Sequence, residues 1–411
     1  MAELKVEVEP GEVGLDGDRL QRIERHFRRY VDDGRLPGWL VAVTRQGAVA
    51  HLSTYGMRDV EADKPVEIDT IFRLYSMTKP VTSVAAMMLY EEGAFELKDP
   101  VERFIPAFAD MRVYRSGSAV NPVTEPAVEP VRIWHLLTHM SGLTYGFHHA
   151  HPVDAIYRAG GFEWASPPDA DLAECCDRWA RFPLLFQPGS EWNYGVSTDV
   201  LGRVVEVASG LALDEFFSER IFRPLGMTDT AFFVDPAETD RLAALYTRNP
   251  SDGRALRIDQ MGAAALTRPM ALSGGGGLVG TAADYHRFSQ MLVRGGELEG
   301  TRLLSPRIVS YMTRNHLPGG ADLEDVGRPL FAETTYSGVG FGLGFSVVID
   351  PVKNKVPSSA GEFAWGGAAS TGFWVDPVEE LTVLFLTQLL PSSTYPIRSQ
   401  LKQLVYQSLV D

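Results

Sequence analysis

The chain predicts an α/β fold of two lobes. An antiparallel sheet is flanked by helices from the two termini, and a mainly helical lobe is inserted between the halves of the sheet. Three observations predict this. Strand-like segments occur at both ends of the 411 residues, while helical periodicity fills the middle. The early strands are joined by a two-residue turn. The late strands have links too short for a crossover, which parallel pairing would require. The sheet lobe is therefore expected from 1–80 and 270–411, and the helical lobe from 81–269. Clefts between lobes are where ligand sites usually lie, so the active site is expected between them.

Residues 16–33 read as an amphipathic helix, with Leu20, Ile23, Phe27 and Tyr30 on one face. Pro37-Gly38 ends it. Residues 39–44 and 48–54 form a hairpin across Gln46-Gly47. A helix over 81–93 follows, its apolar positions Val81, Val84, Ala85, Met88 and Leu89 spaced at 3–4 residues. From about residue 97 the pattern becomes helical and loop-rich, with helices over 131–137, 171–180, 198–208 and 213–221. Four glycines, 274–277, mark a tight loop with no Lys-Ser/Thr after them, so they are no phosphate cradle. Thr281 caps a helix reaching Arg294. Residues 340–349, 371–375 and 381–387 are strand-like, and 394–409 is a final amphipathic helix.

The composition sets bounds. An apolar fraction of 45% and a charged fraction of 22% are those of a soluble globular protein. A net charge of −15 argues against nucleic acid and anionic lipid as partners. The two cysteines, Cys175 and Cys176, are adjacent and cannot build a disulfide framework, which suits a reducing compartment. The N-terminal stretch has no basic segment followed by an apolar run, and no segment has the length of a membrane span. The expectation is a cytoplasmic protein acting on a small molecule.

The chemistry centres on Tyr75-Ser76-Met77-Thr78-Lys79-Pro80. Proline lacks an N–H, so Pro80 fixes the first turn of the helix that follows. Ser76 then sits at the helix N-terminus, where unpaired N–H groups would stabilise an oxyanion. Lys79 lies three residues on, over the same face, within reach of the serine hydroxyl. A four-residue pattern also fits an ordinary capping serine and a solvated lysine.

Four features together make the pattern specific. Ser76-Met77-Thr78-Lys79 follows Phe72-Arg73-Leu74. His135-Leu136-Leu137-Thr138-His139-Met140-Ser141-Gly142-Leu143 comes next. Pro188-Gly189 precedes Tyr194 and Asp199-Val200-Leu201-Gly202. Trp365-Gly366-Gly367-Ala368 stands before a strand pair. In this order, and with Pro224 to Thr230, the chain resembles the serine β-lactamase and penicillin-binding-protein superfamily from about residue 15 to 390. Within it, the closest resemblance is to the family VIII carboxylesterases, which are similar to class C β-lactamases.

The resemblance implies roles. Ser76 would be the nucleophile carrying the acyl group. Lys79 and Tyr194 would share the proton transfers. The backbone N–H groups of Ser76 and Ala368 would form the oxyanion hole, and Trp365, Gly366 and Gly367 would line the substrate cleft. No metal or organic cofactor is implied. Free lysine and tyrosine titrate near ~10.4 and ~10, so neither is a base at neutral pH. Burial should lower Lys79, and a neighbouring cation should lower Tyr194. The three groups are expected within hydrogen-bonding reach of one another.

Two positions depart from the β-lactamase pattern. Val196 stands where that pattern has asparagine, and Trp365 where it has lysine. The amide and charge that bind a β-lactam are absent. An uncharged, short-chain carboxylic ester is the expected substrate. The alternatives are a β-lactamase or D-amino-acid peptidase of the same fold, an acyltransferase passing the acyl group to an alcohol, and a relative that binds without turnover.

Other chemistries fit less well. An α/β-hydrolase needs a nucleophile elbow and a later histidine. Ala368-Ala369-Ser370-Thr371-Gly372 lacks the first glycine, and no histidine follows His316. His148, His149 and His151 lack metal-ligand spacing. Their loop, with Tyr145, Phe147 and Tyr157, reads either as an apolar wall of the cleft or as loop packing.

Overall fold

The computed structural model describes residues 4–164 and 166–410; the first three residues of the N-terminal stretch considered above lie outside that range. Its largest feature is an eight-stranded antiparallel sheet. In chain order the elements that position the site are α1 (Gly17–Asp32), β1 (Gly38–Arg45), β2 (Ala48–Asp59), β3 (Lys64–Pro65), β4 (Phe72–Arg73), α2 (Thr78–Glu91), α3 (Ser197–Ser209), β5 (Val279–Gly280), α4 (Ala282–Val293), β6 (Val339–Phe341), β7 (Ser346–Val348), β8 (Phe363–Gly367), β9 (Thr371–Asp376), β10 (Leu381–Leu386) and α5 (Ile397–Tyr406). The spatial order of the sheet is β6-β7-β8-β9-β10-β1-β2-β3. The two ends of the chain therefore meet at its centre, where β1 pairs with β10.

Side chains alternate across this central pair, as the two-residue strand period requires. Leu40, Ala42, Leu384 and Leu386 enter a core shared with α2 and α3. Trp39, Val41, Val43, Val383 and Phe385 enter a second core. There they meet Leu20, Ile23, Phe27 and Tyr30 of α1 and Ile397, Leu401 and Val405 of α5. The face read from the α1 sequence is thus the buried one, and the Asp16 carboxylate caps the helix by accepting from Arg19 N at 3.0 Å. Thr281 likewise caps α4, accepting from Asp284 N.

Three segments differ from the sequence reading. Residues 340–349 are two strands folded back on each other, because Gly344 turns with φ 97° between them. A Cβ at Gly344 would lie 2.1 Å from Ser83 Oγ, so only glycine lets this turn seat against α2. Phe363–Gly367 is a full sheet strand paired on both edges, although two of its five residues are glycines. Arg112–Gly117 and Pro122–Pro126 form a hairpin in the stretch read as helical and loop-rich. No helix of the described residues is long and apolar enough to cross a membrane.

Candidate active site

β4 pairs with β5 and delivers the chain to the site. Tyr75 then takes a left-handed conformation, φ 47°, rare for a residue with a side chain. A 3-10 turn, Tyr75–Met77, leads straight into α2, with Pro80 as its third residue. Thr78 Oγ1 ties the turn to the glycine-rich loop by accepting from Leu278 N at 3.0 Å. Ser76 is thereby held at the helix entrance, and Lys79 is buried one turn further on.

The Tyr194 hydroxyl donates to Ser76 Oγ at 2.7 Å, and Lys79 Nζ lies 3.4 Å from the same oxygen. The third side of the expected triangle is different. Lys79 Nζ sits 4.6 Å from the centre of the Tyr194 ring, and its shorter hydrogen bonds go to Tyr145 Oη at 2.9 Å and Gly275 O at 2.7 Å. Gly275 N in turn donates to Asp199 Oδ1 at 3.0 Å, beside Ser273 Oγ at 2.5 Å. A Cβ at Gly275 would lie 2.4 Å from Asp199 Oδ2, so the loop needs glycine for this close approach.

Burial dominates the electrostatics. It lowers Lys79 to about 8, while the charges of Asp199 and Glu333 pull the other way. Burial also pushes Tyr194 well above its ordinary value, and Glu333 adds to the rise. This corrects the expectation that a neighbouring cation lowers Tyr194: desolvation of the phenolate outweighs any help from the ammonium. At neutral pH Tyr194 keeps its proton, and Lys79 is the group closer to neutrality. Asp199 is raised by burial but held down by Lys79, Ser273 and Gly275.

The Tyr194 ring is fixed by His139, Tyr145 and Trp365, with centroids at 5.1, 5.3 and 5.5 Å. His148 Nε2 donates to the Tyr194 carbonyl oxygen at 2.8 Å. Of the residues expected to line the cleft, Trp365 is buried against Tyr194, and Gly367 abuts the turn before Ser76: a Cβ there would lie 2.3 Å from Leu74 O. Gly366 faces the other side of the sheet, where a Cβ would lie 2.2 Å from Arg398 Nη2. Only two of the three thus share the side of Ser76, as strand alternation demands. Ala368 follows Gly367 at the start of the β8–β9 turn.

An aromatic ladder runs from Tyr145, the partner of Lys79, to the surface. Tyr145 stacks on Phe147 and Phe147 on Trp164, both at 4.7 Å, and Trp164 is 57% exposed. Tyr157 belongs instead to loop packing, buried 5.0 Å from Phe182. His148, His149 and His151 diverge: His149 pairs with Glu163, and His151 Nδ1 caps its own helix at Val153 N. Among the described residues no group of His, Cys, Asp or Glu could hold a metal. His135 accepts from Arg132 N and is lowered to about 3 by burial, so it stays neutral. Ser370 is a turn residue, φ 66°, whose hydroxyl donates to Leu389 O.

The sequence reading passed over Asp199 and Glu333 as site residues. Asp199 is on the page of the sequence as a charge inside the apolar face of α3. Glu333 acts on Lys79 and Tyr194 by its charge alone, from its pairing with Arg398, and no local signal marks it.

Comparison with known proteins decides the family. The beta-lactamase family model matches residues 23–407. The chain belongs to the beta-lactamase family. Among its relatives, an uncharacterized protein of Mycobacterium tuberculosis is 36% identical over 382 residues, covering 92% of this chain and 91% of its own. Esterase EstB of Burkholderia gladioli is 33% identical over 400 residues, covering 92% and 93%. In structure, the chain is similar to EstCE1, described as a hydrolase with promiscuous acyltransferase activity, with TM-score 0.80, 28% identity and coverage of 95% and 99%. The large antiparallel sheet with flanking helices is the fold of this beta-lactamase family member.

Proposed function

We propose that this beta-lactamase family member is a serine carboxylesterase that cleaves short-chain esters through an acyl-enzyme on Ser76. One observation carries the reading: a buried serine oxygen is held between a tyrosine hydroxyl at 2.7 Å and a lysine amine at 3.4 Å whose pKa is lowered to about 8. At pH 7.5 such a lysine is neutral in about a quarter of molecules, against less than about one in a hundred for a free one. It is therefore available as the base. Relatives named as an esterase and as a hydrolase support the same class.

The geometry is compatible with a two-stage reaction. Neutral Lys79 takes the Ser76 proton as Oγ attacks the ester carbonyl. The oxyanion is stabilised by the N–H groups of Ser76 and Ala368. Tyr194 Oη, beside Oγ, protonates the departing alkoxide and is left as a phenolate while Lys79 holds the serine proton as an ammonium. Water then attacks the acyl-enzyme by the same groups in reverse roles. Val196 and Trp365 supply neither the amide nor the charge that a β-lactam requires, so cephalosporins are expected to be poor substrates.

The test is an assay of wild type and Ser76→Ala on p-nitrophenyl butyrate and a chromogenic cephalosporin. The reading requires ester cleavage, weak cephalosporin turnover and a mutant inactive on both. A mutant that keeps its esterase activity refutes it. The aromatic ladder Tyr145–Phe147–Trp164 favours a second reading, an acyltransferase, because it offers an apolar path for an alcohol. Partition of the butyryl group between water and added 1-butanol separates the two.

A further inference from the structure

Arg398 projects from the first turn of the C-terminal helix α5, on the face of the sheet opposite Ser76. Nothing in the proposed chemistry uses it, yet it is committed on every side. Nη2 donates to Gly367 O at 3.0 Å and to Thr371 O at 2.7 Å, and Nε to Thr371 O at 3.1 Å. Nη1 donates to Glu333 O at 2.9 Å, and Nη2 pairs with Glu333 Oε2 at 2.7 Å. The Glu333 side chain is completely buried, with Ser392 Oγ as its other donor.

Two of these acceptors are the end residues of the β8–β9 turn, which carries Ala368. The carbonyl of Gly367 and the N–H of Ala368 belong to one peptide group. In a trans peptide they point in opposite directions. A guanidinium that fixes Gly367 O on its own side therefore turns Ala368 N–H away, and by donating to that carbonyl it polarises the N–H as a donor. The glycines make room for this. A Cβ at Gly366 would lie 2.2 Å from Nη2, and one at Gly372 would lie 3.1 Å from Nε. Gly366 is thus required by the arginine behind the strand rather than by a substrate in front of it.

We propose that Arg398, locked by its ion pair with Glu333, is a positioning residue that sets and strengthens the Ala368 half of the oxyanion hole from behind the sheet. This rests on the acyl-enzyme reading above. It explains why a buried carboxylate is placed at this point. Glu333 holds the planar guanidinium against three carbonyls, and a lysine could not occupy all of those bonds.

The test compares wild type, Arg398→Ala, Arg398→Lys, Glu333→Gln and Ser76→Ala. Each is assayed for kcat and KM on p-nitrophenyl butyrate and for inhibition by an alkyl trifluoromethyl ketone. Ser76 Oγ adds to the ketone carbon, the carbonyl electron pair becomes an oxyanion in the hole, and the serine proton passes to Lys79. The proposal expects Arg398→Ala to lower kcat about 10–100-fold, less than outright loss of an oxyanion donor, with KM within threefold. Ketone affinity should fall by a similar factor. Arg398→Lys should recover part of both, and Glu333→Gln, which also removes a charge acting on Lys79 and is therefore compared on the alkaline plateau of its own pH profile, should show a smaller loss of the same kind. A fall in kcat with unchanged ketone affinity, or a loss carried by KM, overturns it. If Arg398→Ala does not fold, the lysine and glutamine variants bear the same two readouts. Ser76→Ala separates the two ideas: full activity there removes the acyl-enzyme and the brace together, whereas an inactive Ser76→Ala beside an unaffected Arg398→Ala removes only the brace.

Discussion

Replacing Tyr194 with phenylalanine isolates the proton transfer from everything else the residue does. The ring keeps its contacts to His139, Tyr145 and Trp365, all between 5.1 and 5.5 Å. What is lost is one buried hydrogen bond, Oη to Ser76 Oγ at 2.7 Å. Its net worth is about 1 kcal/mol, which for a chain of this size moves the melting temperature by roughly 1–2 °C. The kinetic loss should be far larger. General acid assistance contributes about 10²–10⁴-fold, or roughly 3–5 kcal/mol. The assay uses two butyrate esters. p-Nitrophenolate departs without help, whereas ethoxide must be protonated as it leaves. Tyr194→Phe should therefore lower kcat on ethyl butyrate by at least about tenfold more than on p-nitrophenyl butyrate. Equal losses on the two esters would refute the role of Tyr194 as the acid to the leaving group. Equal retention on both would refute any catalytic role.

Further tests address the electrostatics and the loop. Since Lys79 must be neutral to act, and burial lowers it to about 8, kcat/KM should rise with pH through about that value and reach a plateau above it. Tyr194, pushed far up, should impose no loss on the alkaline side below pH 10. The same displacement makes the Lys79 contribution to stability grow as pH rises from about 8 toward the unfolded value, because the unfolded chain then binds more protons. Asp199→Asn keeps the shape and the Ser273 contact but removes a charge that favours the ammonium, so the acidic limb should move to lower pH; an unmoved limb would exclude Asp199 as a partner. Gly275→Ala puts a methyl 2.4 Å from Asp199 Oδ2 and should cost about 1–3 kcal/mol in thermal or denaturant unfolding. Unchanged stability there would mean that the loop is free to shift.

Much of this was legible where the cause is local. The apolar stripe of α1, the cap at Thr281 and the placement of Ser76 and Lys79 about Pro80 all follow from residues within one or two turns. Tyr194 became legible through a motif rather than through its neighbours. A buried tyrosine reads the same whether its hydroxyl meets a carbonyl or a nucleophile. Phe363–Gly367 was hidden because two glycines give no apolar alternation; its identity as a strand comes from pairing with β7 and β9. The turn inside 340–349 was hidden because Gly342 and Gly344 sit among residues that are all buried. Tyr145 bonds Lys79, and the charges of Asp199 and Glu333 act on it, from three distant parts of the chain that only the fold relates.

That convergence also explains how one environment assigns both proton roles. Burial alone would make Lys79 a weak base, reluctant to accept the serine proton. Carboxylates alone would keep it a permanent ammonium. Here desolvation is the larger effect, and Asp199 and Glu333 oppose it, leaving the amine near 8. The same two carboxylates raise Tyr194 as well, where they act with burial instead of against it. They add to burial and keep its proton in place. A negative field that makes the lysine a better acceptor makes the tyrosine hold its proton until an alkoxide, a far stronger base than serine, develops beside it. Two groups with nearly equal pKa values in water are thus driven apart into a base and an acid by burial, which lowers the amine and raises the phenol, while the two carboxylates raise both.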